Sequence, residues 1–343
     1  MKCVRSGLIV GILTVAMVGW NAPGFAQEAV VAKEFIYETA PFPSCHASTL
    51  VEVEPGHILA AWFGGTHEKH PDVGIWISHR ENGKWSTPVE VAQHEDVPTW
   101  NPVLWKDNQT GEIQLYYKAG PDPRTWSGLL IRSQDGGKTW SDYEFLPAGV
   151  LGPIKNKPYQ LEDGTLICGS SVEAWQVWGC HCEITEDGGR SWRFSPPINL
   201  PDNLNGLIQP TIFRTSPREL RMLMRSRGIG RIATAVSYDG GENWSDAELT
   251  DLPHPGSGID AVDLTDGQIA LVYNHTERGR SPLNLGISKD GGVNWDNALE
   301  LENEPGSEFS YPAVIQLSDG NIATTYTWKR EKVRFVIIDP DKL

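Results

Sequence analysis

The 343-residue chain reads as an all-β protein built from repeats, and three observations carry that reading. The octet S-Y-D-G-G-E-N-W at 237–244 recurs as S-Q-D-G-G-K-T-W at 133–140, T-E-D-G-G-R-S-W at 185–192 and S-K-D-G-G-V-N-W at 288–295. A worn copy, S-H-R-E-N-G-K-W at 78–85, keeps the Ser, one Gly and the Trp. The closing residues Trp85, Trp140, Trp192, Trp244 and Trp295 are 55, 52, 52 and 51 residues apart, a period of the size that marks propeller blades or solenoid repeats. Between the copies, short strand-like runs bounded by turn residues follow one another, and no convincing amphipathic helix interrupts them.

The chemistry of the octet says what each copy does. Asp-Gly-Gly supplies the positive-φ positions of a tight hairpin, while the Asp and Ser side chains can bond neighbouring backbone N–H groups and fix the turn. The closing Trp is a large apolar plate suited to the junction between repeats. Strand-like runs fall at 48–53, 57–63, 74–79, 113–118, 128–133, 165–170, 220–225, 232–237, 268–274, 283–288, 313–317, 321–328 and 333–338. Several follow Asp-Gly turns, as at 163–164, 266–267 and 319–320.

Residues 1–26 read as an export signal. Lys2 and Arg5 form a basic start, 7–20 an apolar run, and Gly24-Phe25-Ala26 a small-residue cleavage context. The run is too short and too early for a spanning helix. Removing it leaves 27 basic residues against 44 acidic ones and takes the formal charge from −15 to −17. So acidic a chain is a poor partner for nucleic acid or an anionic membrane. Cys45, Cys168, Cys180 and Cys182 remain, as buried thiols or with one disulfide among them. Cys180-His181-Cys182 has no second ligand pair at zinc spacing, so no metal is expected. The remainder, 27–343, shows no linker or charge block and reads as one domain.

The octet has the pattern S-x-D-x-G-x-x-W and resembles the Asp-box of the sialidase (neuraminidase) superfamily, in four full copies and one degenerate copy. The resemblance implies a six-bladed β-propeller. Five repeats and a final unit at 311–338 supply the blades, and an N-terminal strand near 34–37 completes the last blade and closes the ring. It also implies that the boxes lie on the rim, away from the catalytic centre.

Members of that superfamily clamp a substrate carboxylate with three arginines, whose planar fork suits two-pronged hydrogen bonding. They add a Tyr nucleophile paired with a Glu, and an Asp acid/base. Arg225, in L-M-R-S at 223–226, resembles the second clamp arginine, and Arg280, in R-G-R-S-P-L-N-L at 278–285, the third. Asp72, in P-D-V-G-I-W at 71–76, resembles the acid/base, and F-S-Y-P at 309–312 the nucleophile segment.

Three positions depart from the pattern. C-H-A-S-T-L at 45–50 stands where the family has Arg-Ile-Pro, so His46 replaces the first arginine. Phe309 occupies the expected Tyr position and Tyr311 lies two residues on, which on a regular strand is the same face. Gln209, in L-I-Q-P-T at 207–211, replaces the Glu. Glu173, Asp260 and Arg330, with Lys157 and Tyr326, are further polar residues near strand ends, where propeller pockets collect ligands. An unperturbed imidazole titrates near working pH, which makes His46 a candidate base as well. Each position also has an ordinary explanation: most arginines are exposed, Asp72 lies in a polar loop, and an aromatic in a strand such as Tyr311 is often core.

Three functions fit these residues. The leading one is a hydrolase releasing a terminal acidic sugar, with Arg225 and Arg280 on the carboxylate, Asp72 as acid/base, and Tyr311 as nucleophile or electrostatic stabiliser. The second is a polysaccharide lyase or unusual glycosidase acting beside a uronate, in which His46 or a Tyr moves the proton. The third is a non-catalytic carbohydrate-binding propeller, which the 14 tryptophans permit. An acidic oligo- or polysaccharide is the expected partner, no cofactor is expected, and the expected state is an exported monomer.

Overall fold

Consecutive strand-like runs pair antiparallel across their turns, so the chain folds as a string of small meander sheets. In a computed structural model, which describes residues 26–201 and 206–343, there are six such sheets arranged as a six-bladed β-propeller. Their inner strands, from blade one to blade six, are Ser44–Glu54, Thr99–Lys106, Tyr159–Gln160, Leu207–Ser216, Asp260–Asp263 and Phe309–Gln316. Every run read from the sequence overlaps one of the strands. The leader expected at 1–26 lies, apart from Ala26, outside the described residues. No helix among the described residues is long and apolar enough to cross a membrane.

Each Asp-Gly-Gly hairpin is held by its own side chains. In the copy at 237–244, Ser237 Oγ donates to Asp239 Oδ1 at 2.9 Å and accepts from the Gly241 amide at 2.9 Å. The other contacts of the carboxylate are the Asn243 amide at 2.9 Å and the Asn243 side chain at 2.8 Å. The two glycines have φ of 76° and 87°, which only glycine adopts at little cost. Gly241 also needs to be bare, because a Cβ there would stand 2.8 Å from Ile167 of blade three. Trp244 donates to the Gly241 carbonyl and packs on the cluster that includes Ile167 and Cys182. Each hairpin thus staples its blade to the preceding one: Trp140 packs with Leu59 and Ile77 of blade one, and Trp295 with Phe213 of blade four.

The ring closes by the same device. Val30–Phe35 pairs antiparallel with Lys332–Ile338 as the outer strand of blade six, four residues earlier at its start than the strand expected near 34–37. Trp85 of the worn repeat lies 5.1 Å, centroid to centroid, from Phe335 of blade six, and its indole N–H donates to Glu34 at 2.9 Å. Closure leaves the hydrophobic core between sheets. Leu59, Ala61, Ile75 and Ile77, for example, meet Leu104, Leu115 and Leu129 in one cluster, where burying each Leu or Ile contributes about 1.5–3 kcal/mol. Cys45, Cys168, Cys180 and Cys182 are buried free thiols, and burial pushes the first of them up to about 12.

Candidate functional site

The inner strands do not run straight past the axis. Those of blades one, two, four and six each break register near their start, at 46/49, 100/103, 208/211 and 310/313. Inside each break sits one non-glycine residue in the left-handed region: Ala47 (φ 54°), Asn101 (35°), Gln209 (55°) and Tyr311 (51°). In three of the four a proline follows, which removes a ladder donor where the strand bulges. A left-handed non-glycine residue costs about 1–2 kcal/mol and persists only where its surroundings hold it. Four at equivalent places make the bulge a built feature of the centre.

The bulge in blade six decides which aromatic reaches the axis. Because the strand is irregular between Ser310 and Ala313, residues 309 and 311 do not share a face, contrary to the regular-strand expectation. Phe309 is buried in the core between blades five and six. Tyr311 is half-buried at the centre, with its ring 4.0 Å from that of His46. The Arg225 guanidinium donates from Nη1 to the Tyr311 hydroxyl at 2.6 Å and to Gln209 Oε1 at 3.2 Å. Arg225 and Arg280 each lie 5.6 Å from the Tyr311 ring centroid, and Lys155 Nζ 5.9 Å. Gly258 makes room for the ring, since a Cβ there would stand 3.2 Å from it.

The charges around Tyr311 are unevenly matched. Arg280 Nη1 and Arg330 Nε both meet Glu308 Oε1 at 2.6 Å, and Arg330 Nη1 meets Glu68 Oε2 at 2.7 Å. Burial opposes ionisation of Glu308, but Arg280 and Arg330 hold its carboxyl below the usual range. Arg225 has no carboxylate partner among the described residues, and its buried Nε has no hydrogen-bond partner. Instead it lies over the Trp178 ring at 5.4 Å, beside Arg227 at 4.9 Å. Around Tyr311, the guanidiniums of Arg225, Arg280 and Arg330 therefore face two ion-paired carboxylates, Glu308 and Glu68. Glu173, the third acid nearby, is pushed up by burial, with Arg225 pulling the other way. Beneath the ring, buried Lys155 donates to Asn156 Oδ1 at 2.8 Å, to the Ile259 carbonyl at 3.0 Å and to the Pro312 carbonyl. Burial holds this ammonium down to about 7.

His46 is buried at 3 % exposure, and its Nδ1 is 2.9 Å from Thr327 Oγ1. Burial and the nearby cations Arg330, Arg280, Arg225 and Lys155 all disfavour its protonation, so the imidazole is neutral. Asp72 lies apart from this set. It accepts from the Thr66 amide at 2.9 Å and the Thr66 hydroxyl at 2.6 Å and stands 2.7 Å from His70, all within its own exposed loop. Burial raises its carboxyl, but these donors together bring it below its ordinary value. From that loop it is Glu68, a residue the sequence reading passed over, that reaches Arg330.

Asp260 corrects an expectation. It is buried and engaged by protein donors: Thr211 Oγ1 at 2.8 Å, Lys157 Nζ at 3.0 Å, and the Val314 amide at 2.9 Å. Asp260 is thereby a junction between blades four, five and six rather than a pocket residue. Tyr326 is likewise core, its hydroxyl donating to Glu302. The sequence reading missed Glu308, Glu68, Lys155 and Trp178. The trace these bulges leave in the sequence is a proline after the left-handed residue, in N-P at 101–102, Q-P at 209–210 and Y-P at 311–312, and it names none of the four.

Known proteins share this architecture. A sialidase of Bacteroides fragilis (strain YCH46) is 23% identical over 304 residues, covering 76% of this chain and 54% of that protein. A sialidase of Micromonospora viridifaciens is 22% identical over 337 residues, covering 83% and 50%. The chain thus spans about half the length of these relatives. Among solved structures, the Hadza microbial sialidase Hz136 superposes with a TM-score of 0.76 at 16% identity, over 88% of this chain and 66% of that one. The intramolecular trans-sialidase of Ruminococcus gnavus does so with 0.75 at 15% identity, over 92% and 99%. A Dyadobacter fermentans DSM 18053 protein of unknown function gives 0.73 at 18% identity, over 90% and 98%. The BNR repeat-like domain family matches residues 56–324, and with the propeller and its stapled hairpins in place the chain belongs to that family, within the sialidase superfamily.

Proposed function

We propose that the protein is an exported glycoside hydrolase that releases a terminal acidic sugar, sialic acid or a relative, from a glycan. The observation that carries this reading is Arg225: a guanidinium without a carboxylate partner among the described residues, bonded to the Tyr311 hydroxyl, with Arg280 on the same ring. A sugar carboxylate supplies the missing anion, and two arginines can grip it by charge-assisted hydrogen bonds. Tyr311 then stands below the reacting carbon as nucleophile or as stabiliser of developing positive charge. Asp72 serves as the acid/base. Its carboxyl is ionised in the open loop, and covering by the glycan would raise it toward a proton donor. The sialidase names of the relatives support the substrate class.

One observation favours a second reading. The neutral His46 imidazole packs against the Tyr311 ring, which puts two groups able to move a proton side by side for elimination next to a uronate: the base takes the hydrogen α to the carboxylate, the bond to the leaving oxygen breaks, and that oxygen takes a proton. The product separates the two. Incubation with oligosaccharides ending in sialic or uronic acid should release a free saturated acidic sugar, and Tyr311→Phe should abolish release while binding persists. An unsaturated product absorbing in the ultraviolet would replace hydrolysis by elimination. Absence of either, with binding unaffected by Arg225→Lys, would overturn both.

A further inference from the structure

We propose that His57, His79 and Glu81 bind one divalent transition-metal ion, zinc(II) by their ligand chemistry, on the rim of blade one and outside the central residue set. The strand His57–Gly65 pairs antiparallel with Gly74–Glu81, with Leu59 opposite His79 and Ile58 opposite Arg80. Alternate residues of a strand share a face, so this register gathers His57, His79 and Glu81 on one face at the end of the hairpin. His57 Nε2 is 2.9 Å from His79 Nδ1 and 3.4 Å from Glu81 Oε1, and the three ligand atoms lie within 4.8 Å of one another. Around tetrahedral zinc, with bonds of about 2.0–2.1 Å, neighbouring ligand atoms stand roughly 3.3 Å apart. The spacings here straddle that value, so seating the ion needs only small side-chain shifts.

The outer ring nitrogens show the same orientation. His79 Nε2 is 3.2 Å from the Gly137 carbonyl, which can only accept. His57 Nδ1 faces the Glu54 carboxylate at 3.8 Å. With the His79 proton on Nε2 toward the Gly137 carbonyl, its inner Nδ1 presents a lone pair to His57 Nε2. In the metal-free protein a neutral His57 can donate from Nε2 to that lone pair, and a metal ion takes the place of this hydrogen bond once the His57 proton moves to Nδ1, on the side of Glu54. An imidazole fixed by a carboxylate or carbonyl on its far nitrogen is the usual arrangement of a metal-ligating His. Two imidazoles and a carboxylate are a ligand set that suits zinc. Gly137 belongs to the stapling hairpin of blade two, so the ion would tie the sheet of blade one to that staple.

A cleft of about 310 Å³ lined by His79, Glu81, Lys84, Trp85, Ser86 and Lys138 gives access and room for water in the fourth position. Lys84 and Lys138 oppose a cation there, and the Glu81 and Glu54 carboxylates offset them. Nothing in the sequence announces the site, because the two histidines are 22 residues apart and meet only through strand register.

The test uses the purified chain, stripped with EDTA and titrated with zinc chloride by calorimetry and thermal melting. One equivalent should bind and raise Tm. His79→Gln should remove the shift, Glu81→Gln should weaken binding by at least about tenfold, and Glu54→Gln by about 10- to 100-fold. Arg225→Lys should bind zinc as the wild type does. His57 is buried, so its replacement endangers the fold, and the half-exposed Glu81 keeps the test decisive. No heat and no Tm shift in the wild type, or an affinity unchanged by both His79→Gln and Glu81→Gln, would show that the histidines only bridge two blades.

Discussion

Replacing Arg225 by Lys isolates geometry from charge. The guanidinium donates to the Tyr311 hydroxyl at 2.6 Å and to Gln209 at 3.2 Å while lying over the Trp178 ring. An ammonium keeps the positive charge but has no planar fork, so it cannot hold the phenol and grip a carboxylate in two places together. A hydrogen bond to a charged group is worth about 1.5–3 kcal/mol, which at 1.36 kcal/mol per factor of ten is roughly a 10- to 150-fold loss in kcat/KM. Arg280→Lys should fall in the same range, softened by whatever contact with Glu308 the ammonium retains. The assay is release of acidic sugar from a glycan panel, with binding of the free sugar and thermal melting run alongside to exclude loss of fold. Wild-type kcat/KM in both variants, on a substrate the enzyme demonstrably turns over, would end the clamp.

Three further outcomes follow from the geometry. Asp72→Ala should be the damaging change if the reaction is hydrolysis and His46→Ala if it is elimination; turnover rates side by side decide, and indifference to both leaves a carbohydrate-binding platform. Asp239→Ala should lower stability by about 1–3 kcal/mol, since it leaves the donors of a hairpin unpaired; denaturant unfolding measures the loss, and per-molecule activity of the folded protein should be unchanged. The carboxyls of Asp135, Asp187 and Asp290 are held down to about 2, chiefly by bonds from Thr139, Ser191 and Asn294. Their folded values lie below the unfolded value of about 3.9, so this stabilisation is complete above roughly pH 4 and is lost as pH falls through about 2. Stability followed from pH 5 to 2 should show that slope, and replacing the three by Asn should flatten it.

The outer parts of the blades were legible because their signals are local. An Asp-Gly-Gly turn needs only its own side chains and two left-handed glycines, and the runs beside it are short, apolar-rich and free of proline. The inner strands were harder. Thr99–Lys106 and Leu207–Ser216 carry Pro102 and Pro210 at their bulges, and a proline inside an apolar run reads as a break in a strand. The feature that shapes the centre is therefore the one that hides its strands.

What the sequence determined by itself is the repeat, the all-β class and the short set of residues worth testing, including Arg225, Arg280, His46 and Tyr311. The repeat and the class rest on interactions within a few residues, and the set of residues on the resemblance of their short motifs to those of the sialidase superfamily. Tertiary structure alone decided which of them meet. A register break of one strand sent Phe309 into the core and turned Tyr311 to the axis, ring closure delivered Glu68 and Arg330 to the same ion pair, and Asp260 was drawn into a junction of three blades. These outcomes depend on distances between residues far apart along the chain, and a linear sequence carries no measure of such distances until the blades have packed.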